Sequence, residues 1–150
     1  MDVVVAGHIL YNIPALEPFA RALDRHARHR VVLELTQRHP LEWMRDLWLG
    51  FHDLDRPDGP TADDAAAVLR DLGFQVGHEE RLVVGRHGSG GFQRRDDAIH
   101  SVRKRLCLPA DRDPEIAEAL GGRLREIDRL WDVGPEERTV VTLWWEPTRS

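Results

Sequence analysis

Cysteine is almost absent: Cys107 is the only one in 150 residues. One thiol excludes an intramolecular disulfide framework and any cysteine-rich zinc site, and it points to a cytoplasmic chain. Long hydrophobic runs are also missing. No apolar stretch approaches the roughly 20 residues that cross a bilayer. The opening Met1-Asp2-Val3-Val4-Val5 has neither the basic flank nor the apolar length of a secretion signal. No membrane partner is expected. Basic charge is in deficit, with 21 Lys and Arg against 26 Asp and Glu and a formal net charge of −5. That argues against a general attraction to nucleic acid. Lys104 is the sole lysine, so arginine carries nearly all the positive charge. Internal repeats and low-complexity segments are absent as well.

What remains is the composition of one folded domain. Hydrophobic residues make up 41% and charged residues 31%, a globular balance. A chain of this length buries about 70% of its unfolded surface. Residues 2–7 read DVVVAG, four consecutive apolar residues without alternation, the pattern of a strand buried on both faces. Residues 14–29 read as a helix, with Leu16, Phe19, Ala20, Leu23 and Ala27 at helical spacing. Residues 30–35, RVVLEL, form a second strand, so the first half carries a βαβ signature with parallel strands.

Pro40 then opens a short helix bearing Leu41, Met44, Leu47, Trp48 and Phe51. Thr61 caps another, which Gly73 stops. Residues 81–85 are a third strand candidate. Residues 87–92, HGSGGF, read as a flexible loop, and Asp96 or Asp97 is expected to cap the helix beyond it. Ile116, Leu120, Leu124, Ile127 and Trp131 read as one helix begun by Asp113-Pro114-Glu115, with Gly121-Gly122 as its weak point. Residues 139–145, TVVTLWW, are the last strand. Four strands and five helices in this order predict an α/β layered domain.

In open α/β sheets, ligands bind outside the carboxyl ends of the strands. Gly7, His8, Tyr11 and Asn12 leave the first strand at such an end. Gly7 permits close backbone approach, and the other three supply polar groups. The residues alone leave open a plainer reading, a packed βα loop with the Tyr11 hydroxyl bonded locally. His26 and His29 read as a solvated face, and no metal site is expected. Cys107, between two leucines, reads as a buried small hydrophobe.

DVVVAGHILYNIPALEPFARAL resembles the middle of a class I S-adenosylmethionine-dependent methyltransferase, where an Asp-led fourth strand enters a loop of the type N-x-L-x-x-V/I-P and then a helix. RHRVVLELTQRHPL is similar to the fifth strand and the loop beyond it. DRPDGPTADDAAAVLRDLGF resembles the next helix, and ERLVV and TVVTLWWEP the sixth and seventh strands. The resemblance implies a partial Rossmann-like methyltransferase sheet in the order 4-5-7-6, its last two strands antiparallel, with flanking helices. It makes residues 1–150 the C-terminal part of that fold and residues 86–131 a helical insertion between the last two strands.

It implies S-adenosylmethionine as cofactor and a small molecule as methyl acceptor. By position it assigns Gly7 and His8 to the cofactor, Tyr11, Asn12, Arg38 and His52 to the acceptor, and His8 or His39 to the general base. The family's acidic D/E-x-G-x-G loop and its ribose-binding carboxylate are not identifiable. The glycine cluster Gly85, Gly88, Gly90 and Gly91 follows the wrong strand to replace that loop. The expectation is therefore an incomplete site, with the missing mass and chemistry at the N-terminus.

A non-catalytic rival is an interaction module pairing through residues 2–6 as an exposed edge, as a homo-oligomer or with a complementing N-terminal half. A third is another α/β fold that shares the pattern.

Overall fold

Two apolar runs start the sheet: β1 (Val3–Gly7) and β2 (Arg30–Thr36), joined through helix α1 (Leu16–His26). They lie parallel, Val3 opposite Arg30 and Gly7 opposite Glu34, as a crossover of this length requires. The computed structural model describes residues 1–85 and 90–148. His87, Gly88 and Ser89 of the glycine-rich segment lie outside the described residues. The elements that follow are α2 (Arg45–His52), α3 (Ala62–Asp71), β3 (Gly77–Val84), α4 (Arg95–Arg105) and α5 (Asp113–Leu120). The chain closes with β4 (Leu124–Ile127), β5 (Leu130–Val133) and β6 (Glu137–Trp145).

The chain divides into two compact units: Met1–Pro40, Asp58–Val83 and Arg138–Ser150 form the first, Leu41–Pro57 and Val84–Glu137 the second. The first holds a four-stranded sheet in the order β1-β2-β6-β3. β6 runs antiparallel to β2, from Val31 opposite Trp145 to Thr36 opposite Val140. Gly77 at the start of β3 meets Trp144 near the end of β6, and the Gly85 amide donates to the Glu136 carbonyl, so these two strands are antiparallel as well.

Alternation sorts the strands into two faces. Val4, Ala6, Val31, Leu33, Leu35, Val141, Leu143 and Trp145 share one face with Ala20 of α1 and Ala62, Ala66 and Leu69 of α3. Each large side chain buried there contributes roughly 1.5–3 kcal/mol. Thr61 starts α3 with a reciprocal capping box. The Asp64 amide donates to Thr61 Oγ1 at 3.2 Å, and the Thr61 amide donates to Asp64 Oδ2 at 2.7 Å. Those bonds hold the Asp64 carboxyl below its usual range. Gly73, at φ +94°, ends the helix.

β1 is not buried on both faces. It is an edge strand, and Val3 and Val5 are 46% and 69% exposed. Apolar composition alone does not distinguish an inner strand from an edge; the partner on each side does.

The second unit packs Met44 and Leu47 with Ile99, Val102, Leu106, Ile116 and Leu120. The long helix expected over residues 113–131 stops at Leu120. Gly121 takes φ +51°, and β4 and β5 follow as an antiparallel hairpin with Arg125 opposite Asp132. The insertion is thus part helix and part hairpin. Arg125 donates to buried Asp132 at 2.6 Å and to the Gly134 carbonyl at 2.8 Å, so the charge buried with the hairpin is paired.

Arg94, not Asp96 or Asp97, occupies the N-cap of α4; the two carboxylates sit in its first turn, where the helix dipole favours them. Cys107 is exposed rather than buried. It sits at φ +54° just past α4, and Leu106 takes the inward position. No helix among the described residues is long and apolar enough to cross a membrane.

Candidate functional site

The carboxyl ends of β1 and β2 lie side by side, because parallel strands end at the same edge of the sheet. Five of the seven residues singled out in the sequence cluster here or just beyond: Gly7, His8, Tyr11, Arg38 and His39. Asn12 closes the 3-10 turn Leu10–Asn12 and is exposed. His52 belongs to the second unit. Its Nε2 lies 2.6 Å from the Leu106 carbonyl, and its ring stacks on Trp48 with centroids 4.9 Å apart.

His8 is held in the left-handed region at φ +52°, which costs a non-glycine residue about 1–2 kcal/mol. Its amide donates 2.7 Å to the Glu34 carbonyl, extending the parallel ladder by one step and fixing that backbone. Its Nε2 lies 3.5 Å from Glu34 Oε1, with both side chains 43% exposed. Arg81 of β3 approaches the other Glu34 oxygen at 4.0 Å. Glu34 therefore stands between a cation and an imidazole on the face of the sheet opposite α1 and α3. The first contact is an ion pair only when His8 is protonated. Backbone strain of this kind concentrates at functional sites.

Tyr11 has a different task. The Thr36 amide donates to its phenolic oxygen. Thr36 Oγ1 donates to the Arg38 carbonyl at 2.5 Å, so its proton is spent there, and the Tyr11 hydroxyl donates to Thr36 Oγ1 at 2.6 Å. The phenol thus braces the turn leaving β2, with no proton left for an acceptor. The Tyr11 ring meets His39 edge-on, centroids 5.3 Å apart. Arg38 Nη1 lies 3.3 Å from the Asp58 carbonyl and 3.8 Å from its carboxylate.

Sequence reasoning missed Glu34, Thr36 and Arg81. Glu34 was visible as the one charge inside an apolar strand. Arg81 comes from a distant segment, and only the sheet order brings it near.

Scans against protein-family models and against curated protein sequences match nothing. A solved structure of a protein from Bacillus halodurans C-125, described as a candidate methyltransferase, matches 99% of this chain with a TM-score of 0.51 and 8% identity. The fold is methyltransferase-like. This chain spans 65% of that protein's length, and identity this low speaks for the fold alone.

A methyltransferase-like fold implies S-adenosylmethionine, and the residues present can be tested against it. Gly7 fits: a Cβ added there meets nothing within 4 Å, so space lies open against the backbone. The rest does not close. The acidic glycine-rich loop is missing from the sequence, and Gly85, Gly90 and Gly91 take positive φ values far along the chain from β1. The outer side of β1 carries no strand among the described residues. Of the features tested, only the open space at Gly7 fits the cofactor. A recess of about 630 Å³ lies instead at the opposite, amino end of β1 and β2, lined by Val3, Arg28, His29, Arg30, Glu146 and Pro147.

Proposed function

We propose that the chain is the acceptor-side, C-terminal part of a methyltransferase site, serving methyl transfer to an oxygen, nitrogen or carbon nucleophile of a small molecule. The observation that carries this reading is the strand order β1-β2-β6-β3, with β6 antiparallel to β2 and inserted beside it. In this reading the four strands stand for the fourth, fifth, seventh and sixth strands of the methyltransferase sheet. S-adenosylmethionine, when bound, supplies an electrophilic sulfonium methyl. The chain's own residues position the acceptor, and such transfer depends mostly on alignment.

His8 is the general base of this reading. Glu34 orients its ring from one side, leaving the other nitrogen for the acceptor proton. Gly7 admits the cofactor, Arg38 and Asn12 meet the acceptor, and His39 is the second candidate base. Tyr11 is a positioning residue, and His52 has no role here.

The site is incomplete in this chain alone and is completed by a segment seated along the outer edge of β1. Isothermal titration of S-adenosylmethionine into the isolated chain tests this. The expected affinity is weaker than about 100 μM, a free energy below about 5.5 kcal/mol. Micromolar binding by the chain alone overturns the incompleteness.

The exposure of Val3 and Val5 on an edge strand favours a second reading, a non-catalytic module that associates through β1. Sedimentation velocity separates the two. Concentration-dependent dimers lost in Val5→Lys support the module; a monomer at every concentration contradicts it.

A further inference from the structure

Strand β3 carries a second cluster of chemistry-bearing side chains, away from His8. His78 and Glu80 are two residues apart and so share one face of the strand, with Arg81 on the other. His78 Nε2 lies 3.4 Å from Glu80 Oε1. Asp63, in the first turn of α3, reaches the same point. One ligand atom from each of Asp63, His78 and Glu80 lies within 4.8 Å of the other two. All three side chains are solvent-accessible, so an ion can reach them from solvent, and the exposed side chains can close in to bonding distance.

Two carboxylates held this close repel one another. Among the described residues no arginine or lysine is ion-paired with either. The helix terminus offers Asp63 only about half a positive charge. Gln37 Nε2 donates to Asp63 Oδ2 at 2.5 Å, so one carboxylate oxygen is held by a neutral amide. A neutral amide fixes the geometry without cancelling the charge, which is how partners behind a metal ligand act.

We propose that Asp63, His78 and Glu80 bind a divalent transition-metal ion, with Zn²⁺ the best match. One imidazole nitrogen and two carboxylate oxygens suit Zn²⁺ better than the all-oxygen shells of Ca²⁺ or Mg²⁺. Three protein ligands leave further positions to water. The ion ties the first turn of α3 to β3, an edge strand that among the described residues has β6 as its only neighbour in the sheet.

The test is thermal unfolding of the untagged protein at pH 7.5 with and without ZnCl₂. Saturation about 100-fold above Kd raises Tm by about 5–10 °C. The same rise is expected in His26→Ala/His29→Ala, and it is abolished in His78→Gln and in Glu80→Gln, whose folding far-ultraviolet circular dichroism confirms. Isothermal titration of ZnCl₂ is expected to lose at least about tenfold in affinity in Asp63→Asn. No rise in the wild type overturns the site. So does a rise that survives in His78→Gln, which places the metal elsewhere. An equal response to MgCl₂ overturns the assignment to a transition metal.

Discussion

The indole of Trp144 fills the space where a side chain on Gly77 would stand: a Cβ built there falls 2.2 Å from Trp144 Cε2. This contact fixes the register of β3 against β6, and with it the side of the sheet on which Arg81 reaches Glu34. Gly77→Ala is expected to destabilise the protein by about 1–3 kcal/mol through overpacking. Urea unfolding measures it. Trp144→Leu in the same chain is expected to recover most of the loss, since the two residues share one space. Additive losses in the double variant contradict the contact.

The Tyr11 phenol accepts the Thr36 amide and donates to the Thr36 hydroxyl. Tyr11→Phe leaves that amide, on a residue only 5% exposed, without an acceptor. The expected cost is about 1–3 kcal/mol of stability. Binding of S-adenosylmethionine at Gly7 is expected to stay unchanged. A stable Tyr11→Phe protein that loses binding reverses the role given to Tyr11.

Arg123 grips Asp46 with two hydrogen bonds, Nη1 to Oδ1 at 2.8 Å and Nη2 to Oδ2 at 2.9 Å. Those bonds, and secondarily the guanidinium charge, hold the Asp46 carboxyl below its ordinary value of 3.8, against an opposing effect of burial. A folded value below the unfolded one means stability that is present above about pH 4 and lost as pH falls through the folded value. The Asp46 carboxylate is exposed, so its share is no more than about 1 kcal/mol. The stability gap between wild type and Asp46→Asn is expected to be constant from neutral pH to about 5 and to close below about 4. A gap that persists at the lowest pH contradicts the ion pair as its source.

The βαβ start, the Thr61 cap and the Gly73 stop were legible because each rests on local chemistry. The β4–β5 hairpin was not. Ile116, Leu120, Leu124, Ile127 and Trp131 are spaced by three and four, which is helical spacing. The helix ends at Leu120, before Gly121 at φ +51°, and the hairpin turns at Asp128-Arg129, both at positive φ, without the Asn-Gly or Asp-Gly pair that marks such turns. The first half of β3 was equally hidden. Residues 78–81 are His-Glu-Glu-Arg, polar on both faces, as an exposed edge allows. The candidate site was half legible: Gly7 and His8 follow from the end of a strand, whereas Glu34 meets His8 only through the β1–β2 register, and Arg81 meets Glu34 only through the sheet order that sets β6 between β2 and β3.

Amide NMR spectra of the ¹⁵N-labelled chain, titrated with S-adenosylmethionine to about 10 mM, a range that detects millimolar affinity, test the central claim most directly. The account predicts small, saturable shifts centred on Gly7, His8 and Glu34, with none at the basic recess of Arg28, His29 and Arg30. Shifts centred on that recess, or no shifts at the end of β1 at any concentration, would contradict it.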